Sequence, residues 1–201
     1  GQAQMRLREA LALALVLALS AYAASALAQP RDPARADALF REGREAMRQK
    51  DYEAACARFA ESQKLDPGGG TLLNLADCEE KLGHPATAYR HVQGALATLP
   101  AGDDRVRIAR QRLTALEGKV ARLVVRVAKS VAKGARVTRD GQELPEPEWG
   151  QAHALEPGTH ALVLTLADGR EVTASLALRE GELREVTLEP PPEPAAPTAP
   201  T

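Results

Sequence analysis

The fold is decided by residues 39–67, which read LFREGREAMRQKDYEAACARFAESQKLDP, because the same pattern returns in residues 72–100. Six positions of the first stretch have an apolar, small or proline counterpart 33 residues later. A fixed period of this length is typical of proteins built from stacked helical hairpins. The repeated pairs are Leu39 and Leu72, Gly43 and Ala76, Ala55 and Ala88, Phe59 and Val92, Ser62 and Ala95, and Pro67 and Pro100.

Each unit is predicted to contain two helices. Residues 36–50 and 52–65 are rich in Ala, Arg, Glu and Gln, which favour helix. Small residues such as Gly43 and Ala55 allow the two helices of a unit to approach closely. The segment 66–70, Asp-Pro-Gly-Gly-Gly, is predicted to end the second helix as a flexible turn, because Pro lacks a donor and Gly permits left-handed backbone.

A fifth helix is predicted after the second unit, where a stack of two hairpins would expose its apolar side. Apolar residues recur there at spacings of three and four, which is one helical stripe. Asp103 or Asp104 is a suitable N-cap. The stripe consists of Val106, Ala109, Leu113, Leu116 and Val120. We therefore predict a capping helix over residues 103–119.

The first unit resembles the tetratricopeptide repeat, whose pattern ends in Ala, a bulky residue four positions later, and Pro. Residues 34–119 would then form a helical domain of two such repeats and the capping helix. In this family the first helix of each unit lines a groove that binds peptides, often through an Asn and basic side chains. The resemblance assigns those roles to Asn74 and Arg107, while Phe40 stands where the carboxylate-binding members often have Lys. It implies a groove lined by Arg41, Arg44, Arg48, Asn74, Asp77, Lys81, Arg107 and Arg110. The alternative is a solvated polar face with ordinary ion pairs.

After residue 120 the apolar period changes from 3.6 to 2. Runs at 123–127, 162–166 and 172–178 alternate apolar and polar residues, and Gly-containing turns separate them. Short alternating strands joined by such turns are typical of an antiparallel sandwich. The fold class is therefore α+β, with TPR-like helical hairpins followed by a small antiparallel β-sandwich over residues 121–188.

Two segments of this second domain resemble PEGA-type domains: Ala135-Arg136-Val137 followed by Asp140-Gly141, and Pro157-Gly158-Thr159-His160. The resemblance implies a bacterial envelope protein. Helical repeats followed by such a domain resemble exported proteins of myxobacteria and their relatives.

Residues 189–201 are rich in Pro and Ala and are predicted to form an extended, disordered tail.

Residues 1–28 have the order of a secretory signal peptide. A short basic segment ending at Arg8 precedes the apolar run Ala10–Leu19, and small residues lead up to Ala28. We expect cleavage after Ala28, a periplasmic or secreted protein, and no membrane span after cleavage. Retention of the segment as an anchor is the alternative.

Two cysteines in an exported chain favour a disulfide. Cys56 falls on the second helix of the first unit and Cys78 on the first helix of the second unit, and these helices are neighbours in a repeat stack. We expect a Cys56–Cys78 bridge. The alternative is a pair of buried thiols.

Composition excludes several functions. The net charge is −1 and aromatic residues make up 3%, which argues against nucleic acid binding. The four histidines do not cluster, and no catalytic motif is present, so we expect no metal, no cofactor and no enzyme activity.

We expect a non-catalytic protein–protein interaction or scaffold protein of the cell envelope, with a protein or peptide partner. The alternative is a cell-wall or glycan-binding accessory protein acting through the β domain, where Trp149 either covers one open side of the sandwich or contacts a ligand.

Overall fold

The computed structural model describes residues 31–131 and 133–190 and has the predicted α+β class, with helices first and strands second. The predicted signal peptide and all but the first two residues of the predicted tail lie outside these ranges. The helices are α1 (Pro33–Gln49), α2 (Tyr52–Leu65), α3 (Gly69–Lys81), α4 (Pro85–Thr98) and α5 (Asp104–Glu117). The strands are β1 (Ala121–Val127), β2 (Arg136–Arg139), β3 (Gln142–Leu144), β4 (Ala152–Leu155), β5 (Gly158–Thr165), β6 (Glu171–Leu178) and β7 (Leu183–Leu188).

The first hairpin, α1–α2, depends on close contact between Gly43 and Phe59. A Cβ atom at Gly43 would lie 2.7 Å from the Phe59 ring, and the ring itself is fully buried. The Asp51 side chain accepts a hydrogen bond from the Ala54 amide and begins α2. Ser62 is buried and donates to the Ala36 carbonyl of α1, at 2.8 Å. The two predicted helices are therefore confirmed and are packed together by small and aromatic residues.

The second hairpin begins earlier than predicted. Gly69 and Gly70 form the first turn of α3 rather than a flexible turn. A Cβ atom at Gly69 would lie 2.7 Å from the Leu99 side chain, so glycine allows the start of α3 to pass close to the end of α4. The prediction that the glycine run breaks the helix is therefore wrong for Gly69 and Gly70, because Gly69 provides room for contact between α3 and the end of α4.

The capping helix α5 is present. Asp103 is its N-cap and accepts hydrogen bonds from the Arg105 backbone and guanidinium, which lower the pKa of Asp103 to about 2. Ala109 and Leu116 are fully buried and pack with residues of α3 and α4. An acidic N-cap is favoured by the positive end of the helix dipole.

The predicted disulfide joins the two hairpins. Cys56 of α2 and Cys78 of α3 are bonded, with their Cα atoms 5.6 Å apart. Both cysteines are buried, among Phe59 and Leu75. The bridge therefore lies inside the contact between the two hairpins, and the alternative of two buried thiols is excluded.

Replacing both Cys56 and Cys78 by Ala should lower the free energy of unfolding by about 2–4 kcal/mol, because the unfolded chain loses its cross-link. Urea unfolding followed by circular dichroism measures the change. A thiol reductant should lower the midpoint of the wild-type protein and leave that of the double variant unchanged. Equal midpoints for the oxidised wild type and the double variant would contradict a stabilising bridge.

The β domain is a two-layer sandwich, with one departure from the prediction. One sheet has the strand order β3-β2-β5-β6 and is antiparallel throughout. The other has the order β4-β1-β7, and its β1–β7 pair is parallel. The expectation of an all-antiparallel sandwich is therefore wrong for this pair, since alternation in sequence does not report which strands become neighbours. Leu123, Val125 and Leu162 are fully buried between the sheets.

Glu156, in the loop after β4, connects the β domain to the helical unit. Its carboxylate accepts hydrogen bonds from the Ala86 amide at 2.8 Å, and from the Thr87 amide and hydroxyl at 2.7 Å each. These donors are at the N-terminus of α4, whose own N-cap, His84, makes no side-chain cap bond. A carboxylate from one domain thus caps a helix of the other.

The loop that carries Glu156 is itself held in place. His160 of β5 lies 2.8 Å from the Glu156 carbonyl oxygen and 2.7 Å from the Asp140 carboxylate. Burial raises the pKa of Asp140, but hydrogen bonds from His160 and from the Ala161 backbone outweigh it, and the pKa lies below its ordinary value. A second contact joins the domains where the Gly181 amide donates to the Lys119 carbonyl.

Replacing Glu156 by Ala should lower the free energy of unfolding by about 1–3 kcal/mol, because the donors at the start of α4 lose their acceptor. Thermal unfolding followed by circular dichroism gives the measurement. Glu143→Ala is the control, since Glu143 is exposed on β3, and its change should stay within about 0.5 kcal/mol. Equal effects of the two substitutions would argue against a cap between the domains.

Candidate binding surface on the helical unit

Helices α1, α3 and α5 are the first helices of successive units, and they share one surface of the helical unit. We use the name first-helix face for the exposed predicted residues of α1 and α3, together with the side of α5 that carries Ile108 and Arg112. Contacts between α3 and α5, and a pocket between α1 and α3, show that the three helices adjoin. This is the surface on which the sequence places the predicted groove.

On α1 the predicted residues Arg41, Arg44 and Arg48 are all exposed. Arg41 pairs with Asp37 at 3.2 Å, and Arg48 pairs with Glu45. Arg44 forms no ion pair with any residue in the described ranges. Ion pairs this exposed contribute little to stability and exchange readily with a bound charge.

On α3 the predicted residues Asn74, Asp77 and Lys81 follow one side of the helix. Asn74 is half-buried and its amide donates to the Gly70 carbonyl at 2.9 Å, which leaves its side-chain oxygen for another partner. Lys81 is exposed in the last turn and, like Arg44, has no ion-pair partner within the described part of the chain. The first-helix face therefore carries two uncompensated cations.

Asp77 is engaged by a residue that the sequence did not assign to the site. Arg112 of α5 binds Asp77 at 3.0 Å and Glu80 at 2.6 Å, and its side chain is 22% exposed. Lys119 also lies 3.5 Å from Glu80. This network fastens α5 to α3. The sequence places Arg105 and Arg112 on the same side of α5, because seven residues make about two helical turns. It gives no signal for their partners on α3.

The predicted residues Arg107 and Arg110 are not brought to this face. Helical geometry places them about 140° and 160° around α5 from Arg112, and both are exposed. Instead, the Arg105 guanidinium lies beside Gly70 of α3, where a Cβ would come within 2.8 Å of its nitrogen. The arginines of α5 therefore lie on two different sides of the helix.

A pocket of about 240 Å³ lies between the start of α1, the end of α2 and the start of α3. Phe40 forms part of its apolar wall and is itself held by Phe59, with ring centroids 5.5 Å apart. Asp37, Asp66 and Thr71 add polar groups to the lining. Ile108 of α5, 52% exposed, adds a further apolar surface on the same face, between Arg105 and Arg112.

Trp149 of the β domain is packed on one side and also lines a pocket of about 230 Å³, together with Val127, Val131 and Glu146. The Trp149 indole donates to the Leu144 carbonyl at 2.9 Å, and its ring packs against the sandwich core. The prediction that Trp149 covers one open side of the sandwich agrees with this packing.

Within residues 31–131 and 133–190, no three His, Cys, Asp or Glu side chains are placed to hold a metal ion. In the same ranges, every helix is too short or too polar to cross a bilayer.

No protein-family model matches the chain, and no curated protein is similar to it. Among solved structures, the chain is similar to the first TPR of Spaghetti (RPAP3) bound to the HSP90 peptide SRMEEVD. The sequences are 22% identical, the match covers 43% of this chain and 67% of that chain, and the TM-score is 0.39.

Replacing Arg112 by Gln should lower the free energy of unfolding by about 1–3 kcal/mol, because Asp77 and Glu80 lose their charged donor. Arg110→Gln is the matched control on the same helix and should change it by less than about 0.5 kcal/mol. Urea unfolding of both variants makes the comparison. A larger loss for Arg110→Gln would contradict the orientation of α5.

Proposed function

We propose that the protein is a non-catalytic interaction protein whose first-helix face binds an extended acidic segment of a partner protein. The uncompensated cations Arg44 and Lys81 on that face support this proposal most directly. Around them, Arg41 and Arg48 are held only by exposed ion pairs, which a carboxylate of the partner can replace.

The pocket beside Phe40 suggests a second feature of the partner segment, an apolar side chain. Its aromatic wall suits one apolar side chain, while the Asn74 oxygen and remaining amide hydrogen suit the backbone of an extended peptide. Phe40 is found in place of the Lys that carboxylate-binding relatives often have. We therefore propose an acidic segment with one apolar anchor, rather than a free carboxyl terminus, as the ligand.

The setting we propose is the bacterial cell envelope, with the protein periplasmic or secreted and acting as a scaffold. The Cys56–Cys78 disulfide supports this, because such bridges persist in oxidising compartments. The β domain, joined to α4 by Glu156, would act as a spacer that sets the orientation of the helical unit. Cell fractionation with an antibody to the protein tests the location. Recovery of the protein with reduced thiols from the cytoplasm would reject it.

Binding can be tested with a fluorescent peptide of about ten residues, rich in Asp and Glu with one Leu, followed by fluorescence anisotropy. The pair of substitutions Arg44→Glu and Lys81→Glu should weaken binding about tenfold or more, since attraction becomes repulsion, and added salt should weaken the wild type.

The matched control is the pair Arg107→Glu and Arg110→Glu, which makes the same change of charge away from the first-helix face. It should leave the affinity within about twofold. Equal losses for the two pairs would show that net charge, and not the proposed surface, attracts the peptide. Sedimentation of the protein with purified peptidoglycan would instead favour the cell-wall alternative.

A further inference from the structure

Strand β6 forms an open edge of the antiparallel sheet. It has eight residues, and β5 is its one neighbour in the strand order. Residues 172–178 contain no charged residue, no Pro and no Gly. Natural proteins protect free edges with such residues, because an unpaired strand recruits another strand. An edge strand in which seven consecutive residues are of other types is therefore a candidate for pairing.

The backbone groups that point away from β5 can be assigned. The Leu166 amide donates to the Arg170 carbonyl, so this pair is hydrogen-bonded, and bonded and non-bonded pairs alternate along an antiparallel ladder. Glu171, Thr173, Ser175 and Ala177 therefore direct their N–H and C=O groups to the open side. Arg184 confirms this orientation, because its guanidinium reaches the Ala177 carbonyl at 2.9 Å.

We propose that β6 pairs antiparallel with β6 of a second copy of this chain, about a two-fold axis at Ser175. In this register Thr173 of each copy lies opposite Ala177 of the other, and Ser175 lies opposite itself. All of these residues direct their backbone groups outward. The core-facing residues Val172, Ala174, Leu176 and Leu178 also pair with one another, so the two four-stranded sheets become one continuous sheet.

Charge complementarity selects this register and a second copy as the occupant. With the axis at Ser175, the exposed Glu171 of each copy lies opposite the exposed Arg179 of the other, and symmetry makes the contact twice. A register centred on Ala174 would instead place Glu171 opposite Ala177, so the Glu171–Arg179 pairs would be lost. One centred on Leu176 would place Glu171 opposite Gly181.

Arg184 partly blocks the open edge of β6. In the proposed ladder, the Thr173 amide of the second copy needs the Ala177 carbonyl that Arg184 now occupies. The guanidinium must move aside before the strands pair. One strand pair is a small interface, so we expect a weak dimer that forms as concentration rises.

Sedimentation equilibrium of the full chain from about 1 to 200 µM tests the proposal. The wild type should show a monomer–dimer equilibrium. Ser175→Pro should abolish it, because the lost amide points to the open side and is not used within the sheet. Arg184→Ala should tighten the dimer severalfold.

Charge reversal provides a test that does not depend on any loss of folding. Glu171→Arg alone and Arg179→Glu alone should each weaken the dimer about tenfold, because like charges then face each other. The double variant E171R/R179E should restore it. Wild-type and Arg184→Ala proteins that both stay monomeric would overturn the proposal. So would a dimer that is insensitive to Ser175→Pro and to the charge reversals.

The dimer and the proposed peptide binding are independent of each other. Ser175 lies on β6, whereas the first-helix face belongs to α1, α3 and α5. Ser175→Pro should therefore leave the affinity for the acidic peptide unchanged.

Discussion

The contact between α2 and α3 is the constraint on which the helical unit depends, because it is the largest contact between the two hairpins and carries their covalent link. Each hairpin can pack its own two helices through Gly, Ala and one large side chain. The contact between hairpins is smaller, and the Cys56–Cys78 bridge fixes it covalently. The position of α3 relative to α1 determines the pocket beside Phe40, and its position relative to α5 determines the Arg112 network.

The two domains are coupled by an electrostatic arrangement rather than by a large apolar interface. The N-terminus of α4 presents unpaired amides and the positive end of a helix dipole, and Glu156 supplies the missing acceptor. His160 and Asp140 then hold the loop that carries this carboxylate. The orientation of the first-helix face relative to the β sheets is set by these few polar contacts.

Much of the fold could be predicted because its signals lie in residues that are close together in the sequence. The repeat of 33 residues, the apolar stripe of α5 and the alternation of the strands each depend on neighbouring residues, and the cysteine pair followed from the repeat. The sequence does not predict the helical start at Gly69, because the backbone freedom of glycine indicates a turn, whereas the Leu99 side chain that Gly69 accommodates is distant in the chain. The parallel pairing of β1 and β7 and the role of Glu156 depend on residues more than 50 positions apart, for which the sequence has no local signal.

The parallel pairing of β1 and β7 determines how the β domain responds to tension. The chain enters the domain at the start of β1 and leaves it at the end of β7, and these points are at opposite ends of two adjacent strands, paired from Arg122 to Val127. A pull between them acts along the strands and loads all their hydrogen bonds together, in shear. Strands joined in this way slide only when many bonds break at once, whereas a hairpin pulled at its open end unzips one bond at a time. The β1–β7 pair therefore resists extension when the domain is pulled between the start of β1 and the end of β7.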